Sequence, residues 1–161
     1  MLAANGSYRM FMDADLATPL RHFDDLANHI AGGSEVAIGV RDLVRIHKGF
    51  KRKLITKVGN ILTQTVLFLR VKDTQCGFKM FSADAAEKIF SSLTIFGWGF
   101  DMEVLVLARH YGYKISTFEV SDWKDPKATG LVGDSPLGAA ISTLKELLQI
   151  RWNLIIGKYN V

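Results

Sequence analysis

Tyr8-Arg9-Met10-Phe11-Met12-Asp13-Ala14-Asp15-Leu16 sets an apolar, strand-like run directly before two carboxylates one residue apart. Alternate residues of a strand project from one face, so Asp13 and Asp15 are expected on the same side. That arrangement suits a hard divalent cation. Mg²⁺ and Mn²⁺ take oxygen ligands and are commonly held by one or two carboxylates together with the phosphates of a substrate. A strand ending in acid is thus the first fold expectation, and a phosphate-bearing substrate the first functional one. The pair alone leaves a solvated strand end or a helix-entry cap equally open.

Outward from this strand, further strand signals lie at Glu35–Val40, Gly77–Phe81 and Ile115–Val120, each bounded by Gly, Asp or Ser. Helical patterns separate them. Pro19–Ala31 reads as a helix with Thr18 as N-cap and Gly32-Gly33 as its stop. Between Phe50 and Leu69, the residues Phe50, Leu54, Val58, Leu62, Val66 and Leu69 share one stripe, with Arg52, Thr56, Asn60 and Thr63 on another face. Ala83–Leu93 follows Ser82, a good N-cap, and Met102–Tyr111 stops at Gly112. Strands alternating with helices predict an α/β fold of mixed sheet and flanking helices, in residues 1–135. Residues 136–161 form a separate C-terminal element. There Leu137, Ile141, Leu144, Leu148, Trp152 and Ile155 line one face, flanked by Lys145, Arg151 and Lys158. With a second apolar flank at Leu147, Ile150 and Leu154, and with Trp152 and Tyr159 as aromatics favoured at a bilayer interface, such a helix suits a membrane surface, and equally a terminal helix docked on the core.

The 161 residues, 48% apolar with three prolines, are enough for one domain with a sizeable core. Net charge is +4, yet Arg41, Arg45, Lys48, Lys51, Arg52, Lys53 and Lys57 crowd one segment against Asp42 alone. A local basic cluster attracts phosphates of any origin. The single cysteine, Cys76, excludes an intrachain disulfide framework and a cysteine metal site, and is expected as a buried small hydrophobe. No window is apolar enough for a spanning helix.

Four segments then line up: Met12-Asp13-Ala14-Asp15-Leu16, Val36-Ala37-Ile38-Gly39-Val40-Arg41, Lys72-Asp73-Thr74-Gln75-Cys76-Gly77-Phe78-Lys79, and Trp98-Gly99-Phe100-Asp101-Met102-Glu103. Together they resemble the inverting glycosyltransferases of family two that load a hexose onto dolichyl or polyprenyl phosphate, most of all the dolichyl-phosphate β-glucosyltransferases. Dolichyl-phosphate mannosyltransferases are similar too, sharing the Asp-Ala-Asp-Leu and Lys-Arg-Lys-x-Ile-Thr elements. The resemblance implies the C-terminal portion of a GT-A fold, a nucleotide sugar donor (UDP-glucose or GDP-mannose), a polyprenyl or dolichyl phosphate acceptor and Mg²⁺ or Mn²⁺. It also implies a membrane-associated protein at the cytoplasmic face, of the endoplasmic reticulum in a eukaryote or the plasma membrane in a prokaryote. In those enzymes a nucleotide-gripping half precedes the Asp-x-Asp strand; this chain starts just before that strand and is read as a fragment or truncated product.

Carried over residue by residue, the family pattern makes Asp13 and Asp15 the metal and diphosphate site, where a cation offsets charge on the departing nucleoside diphosphate. Arg41, and Arg52 with Thr56, would receive the acceptor phosphate, for which the planar guanidinium fork is suited. Gln75, Gly77 and Lys79 would approach the sugar or diphosphate, with Gly77 giving close backbone access; a mere bulge is the alternative for Gly77. Asp101 would orient the sugar hydroxyls or the attacking phosphate, beside Glu103, although carboxylates in a first helical turn also serve as caps. Trp98, Phe96 and Phe100 would stack on the sugar or fill core. No general base is required, because the acceptor phosphate is already ionised.

Three other readings compete with this one. A haloacid-dehalogenase phosphatase would want Thr or Val where Ala17 stands. A non-catalytic remnant would keep only the phosphate or membrane site. Nucleic-acid binding lacks an aromatic-rich strand or zinc spacing and is not expected.

Overall fold

The computed structural model describes residues 1–41, 50–123 and 136–160, without the side chains of residues 50–56, 136, 137, 139 and 140. Strands β1 (Tyr8–Met12), β2 (Val36–Arg41), β3 (Phe78–Ser82) and β4 (Ile115–Val120) form one sheet in the order β1-β3-β2-β4. β3 runs antiparallel to both β1 and β2, and β2 runs parallel to β4. Consequently β1, β2 and β4 all point one way, and their carboxyl ends meet at the edge where β3 begins. In α/β sheets this is the edge at which ligands bind, because the loops leaving the strands diverge there.

Both faces of the sheet are covered, which is why β2 reads as a nearly unbroken apolar run. On one face α1 (Phe23–Ala31) packs Leu26 and Ile30 against Ala37, Cys76, Phe78 and Met80. On the other, α3 (Ala83–Ser91) and α4 (Phe100–His110) pack Ala85, Ala86, Ile89 and the run Met102–Ala108 against Val36, Ile38 and Phe81. Ser82 caps α3 as expected, its hydroxyl accepting the Ala85 N–H at 3.3 Å. Gly112 ends the turn after α4 at φ 79°. Cys76 is buried, and burial pushes its thiol up to about 11.

Two helical expectations are corrected. The segment predicted as one helix from Pro19 is split: Leu20–His22 is a 3₁₀ turn, Pro19 stays extended at ψ 138°, and α1 starts only at Phe23. Thr18 is buried, and Pro19 in its place precedes the turn, with no side-chain cap. The turn is tied sideways, since the His22 ring bridges Asp25 (2.8 Å) and Asp122 (2.5 Å) beyond β4.

The second correction concerns α2 (Phe50–Leu67). Among its described side chains the inward positions include Thr63 and Asn60, while Val58, Ile61 and Leu62 are exposed. The expected stripe holds at the C-terminal end, where Val66 and Leu69 pack on the core beside Leu67; upstream, polar residues find partners instead, with Asn60 Nδ2 donating to the Lys72 carbonyl (2.6 Å) and the Thr63 hydroxyl meeting Met102 Sδ (3.7 Å). The helix α5 (Pro136–Ile155) behaves similarly. It docks through Leu147, Ile150 and Asn153 and leaves Ile141, Leu144, Leu148, Trp152 and Ile155 exposed. Leu137 falls outside the described side chains. One face of this helix is therefore docked on the core, and the opposite, apolar face is exposed. Among the described residues no helix is long and apolar enough to cross a membrane.

Candidate functional site

β1 ends at Met12, and the chain turns at once. The Asp13 N–H donates to the Gly77 carbonyl (2.8 Å), the Leu16 N–H returns to the Asp13 carbonyl (3.3 Å), and the Ala17 N–H binds Asp15 Oδ1 (3.0 Å). Leu16 closes the turn in the left-handed region at φ 54°, a conformation that costs a side-chain-bearing residue about 1 kcal/mol or more. The two acids are thus brought together by a strained turn, and the expectation that a strand pleat would align them is corrected. Partial burial, then the Asp15 charge, push the Asp13 carboxyl above its ordinary value, against the pull of Lys79 and Arg41.

A Cβ built at Gly77 would overlap the carboxylate of Asp13. The missing side chain makes room for the Asp13 carboxylate beside the backbone of this position.

Arg41 closes β2 at the same edge. Its Nε and Nη2 donate to the two oxygens of Asp73 (2.6 and 3.0 Å), and its backbone N–H reaches the same carboxylate (3.2 Å). The guanidinium also lies 5.4 Å from the centroid of Trp123. Burial opposes its charge, but the Asp73 hydrogen bonds and charge raise its pKa on balance. Asp73 is buried and also accepts the Gln75 N–H (3.3 Å), which leaves the Gln75 side chain at an exposed position. Half of the Arg41 fork is therefore committed inside the protein. Arg52 and Thr56 lie on α2 outside the described side chains.

Lys79 stands on β3 and is 0% exposed. Its Nζ donates to the Cys76 carbonyl (2.6 Å) and to Asp101 Oδ1. An ammonium enclosed in this way is not presented to a diphosphate, and its expected binding role is corrected. Asp101, in the first turn of α4, is partly open. Burial raises its carboxyl pKa while Lys79 lowers it.

Glu103, two residues on, is also 0% exposed and is corrected from substrate contact to anchor. It accepts the Thr94 N–H (2.9 Å), Thr94 hydroxyl (2.5 Å), Ile95 N–H (2.7 Å) and Tyr159 hydroxyl (2.6 Å). Trp98 is exposed and Phe96 is 90% exposed, whereas Phe100 packs 5.3 Å from Phe11 in the core.

The carboxyl edge thus assembles Asp13, Asp15, Arg41, Gln75, Gly77 and Asp101, with Lys79 behind them. Two participants escaped the sequence reading, Asp73 and Glu146, and the expectation of Tyr159 at a bilayer interface is corrected, since its ring is buried and its hydroxyl donates to Glu103. Asp73 stands in the quoted Lys72–Lys79 run, where its position directly before Thr74 marks a turn-forming acid. Glu146 accepts the Gly99 N–H (2.5 Å) at the start of α4 from distant α5, which no local spacing announces.

Among the described residues there is no group of three or more His, Cys, Asp or Glu able to hold a metal ion. Two carboxylates fit the lesser requirement of Mg²⁺ or Mn²⁺, which a phosphate-bearing substrate completes.

Comparison with known proteins agrees with this architecture. The model of the family described as glycosyl transferase family 2 matches residues 1–90. A dolichyl-phosphate β-glucosyltransferase of Dictyostelium discoideum is 30% identical over 171 residues, covering 100% of this chain and 51% of that protein. One from Saccharomyces cerevisiae is 32% identical over 177 residues, covering 98% of this chain and 51% of the relative. The glycosyltransferase AglD of Haloferax volcanii is 32% identical over 161 residues, covering 96% of this chain and 24% of its own length. The chain spans about half the length of the two glucosyltransferases it matches. With a mixed sheet flanked by helices, as in an α/β fold of GT-A type, and a family match across its first 90 residues, the chain belongs to glycosyl transferase family 2.

Proposed function

We propose that residues 1–135 form the diphosphate- and sugar-facing part of an enzyme that transfers a hexose, glucose from UDP by preference, to dolichyl or polyprenyl phosphate with inversion. The observation that carries this reading is the gathering of Asp13, Asp15, Arg41, Gln75 and Asp101 at the carboxyl edge of three strands. Similarity to dolichyl-phosphate β-glucosyltransferases supports the class of donor and acceptor.

Asp13 and Asp15 would hold Mg²⁺ or Mn²⁺ on the donor diphosphate. When bound, that cation supplies charge neutralisation for the departing nucleoside diphosphate. Asp13 repels Asp15 and is partly shielded from water; both favour capture of a cation. Asp101, ionised against Lys79, accepts from a sugar hydroxyl and fixes the ring. The Arg41 N–H groups not held by Asp73 meet the acceptor phosphate, the role that the family pattern also gives to Arg52 and Thr56. That phosphate is already an anion, so orientation replaces proton abstraction as the main contribution.

We place residues 136–161 on a membrane surface at the cytoplasmic face. The exposed stripe Ile141, Leu144, Leu148, Trp152 and Ile155 supports this, with Arg151 and Lys158 at its flanks. An apolar face with an aromatic and flanking cations suits the headgroup boundary.

Calorimetric titration with UDP-glucose, then GDP-mannose, with and without Mn²⁺, tests the proposal. Mn²⁺-dependent binding by the wild type is expected, together with its loss in Asp13→Ala/Asp15→Ala. Equal affinity of the folded double variant would overturn the metal assignment. Absence of binding by both would leave the non-catalytic reading, a phosphate- or membrane-binding remnant.

A further inference from the structure

Lys79 occupies a position where packing calls for an apolar side chain. β3 is a central strand, and Lys79 alternates with Phe78 and Met80, so it faces the same side as Phe81, toward α4. Its register partners are Phe11 on β1 and Ile38 on β2, and its ammonium lies 5.4 Å from the Phe11 ring centroid. A buried ammonium is costly unless paired and hydrogen-bonded. Here the Cys76 carbonyl and the Asp101 carboxylate meet that requirement.

Asp101 in turn is not anchored as Glu103 is. Among the described residues its only hydrogen bond is through Oδ1, to Lys79. Among the described residues, the charged groups that act on it most are Lys79 of β3, Asp13 after β1 and Asp73 before β3. Two of these three are acids, and both discourage its ionisation.

We infer that Lys79 is a positioning residue, an internal counter-ion that fixes Asp101 through Oδ1 and leaves Oδ2 to accept from a hydroxyl of the donor sugar. The sugar half of this inference rests on the function proposed above; the counter-ion half stands without it. Lys79 touches no substrate and acts through Asp101.

The test uses the full chain as wild type, Lys79→Arg, Lys79→Met, Asp101→Asn and Lys79→Met/Asp101→Asn. Two readouts are needed: affinities for UDP-glucose and UDP with Mn²⁺, and the Asp101 carboxyl titration followed by ¹³C NMR. Lys79→Met is expected to raise the Asp101 titration midpoint by about one pH unit or more. It should weaken UDP-glucose about tenfold while leaving UDP within about twofold. Lys79→Arg should restore most of the loss, and the double variant should be no weaker than Asp101→Asn alone. An unchanged Asp101 titration, or equal losses for UDP and UDP-glucose, would overturn the inference. Should the wild type fail to bind UDP-glucose, the donor reading fails by itself, and the titration then decides the counter-ion role. If Lys79→Met does not fold, the double variant removes the stranded charge, and its comparison with Asp101→Asn and Lys79→Arg carries the test.

Discussion

Asp101 and Glu103 sit one residue apart in the first turn of α4, yet they belong to different kinds of region. Glu103 reaches into the junction between α4, the Thr94 loop and the C-terminal turn, where four donors saturate its oxygens. Asp101 opens toward the carboxyl edge of the sheet, where acids crowd one another and, among the described residues, Lys79 holds one of its oxygens. The contrast separates structure from function. A saturated polar cluster has no capacity left for a ligand and serves to lock elements together. An edge of partly satisfied charges retains both capacity and electrostatic tension, and this is where a charged ligand gains most.

The largest effect that would break this contrast is at the anchor. Glu103→Ala strands the Thr94 and Ile95 N–H groups and the Tyr159 hydroxyl, and should cost about 3–5 kcal/mol in urea unfolding. A loss below about 1 kcal/mol would mean that the junction is not an anchor.

The same junction has a pH signature. Burial, then the Glu103 hydrogen bond, push the Tyr159 hydroxyl up to about 12 from its ordinary 10.0. A raised folded pKa means that the folded state keeps its proton longer than the unfolded one. This stabilisation is complete below pH 10 and is lost as pH rises toward 12, at up to about 1.4 kcal/mol per pH unit. Tyr159→Phe should flatten that alkaline limb in pH-dependent melting, although Tyr113, also raised to about 12, keeps its own share.

At the carboxyl edge the expected effects fall on binding. Gly77→Ala should displace the Asp13 carboxylate and weaken Mn²⁺-dependent UDP-glucose binding about tenfold, or ~1.4 kcal/mol, in a calorimetric titration. The fold should survive, since Gly77 has no positive φ to satisfy. An unchanged affinity would detach Asp13 from the cation.

The smallest stability effect belongs to the outward face of α5. Trp152→Ser removes a side chain that is 61% exposed. Stability should change by less than about 0.5 kcal/mol, while sedimentation with anionic vesicles should fall severalfold. Undiminished sedimentation would separate α5 from the lipid surface.

Much of this organisation is legible along the chain. The four strands and the Ser82 cap follow from short strand-forming runs bounded by Gly, Asp or Ser and from local hydrogen-bonding chemistry within a few residues. The acids of the edge were legible as well, because Asp13, Asp15 and Asp101 stand in motifs with a resemblance. The orientation of α2 was not legible, since a stripe of Val58 and Leu62 does not say whether water, protein or lipid lies against it. The anchoring duty of Glu103 was equally hidden. Its partner Tyr159 is 56 residues away, and a carboxylate in a first helical turn reads alike as cap, ligand or core.

By itself, then, the sequence determined the α/β class, the strands and the residue types gathered at the candidate site, because these depend on short-range periodicity and on side-chain chemistry. Tertiary structure alone decided which charges are spent inside and which remain for a ligand. Lys79 and Glu103 are enclosed while Asp13 and Asp101 are partly open, since burial and pairing depend on neighbours brought together from distant parts of the chain.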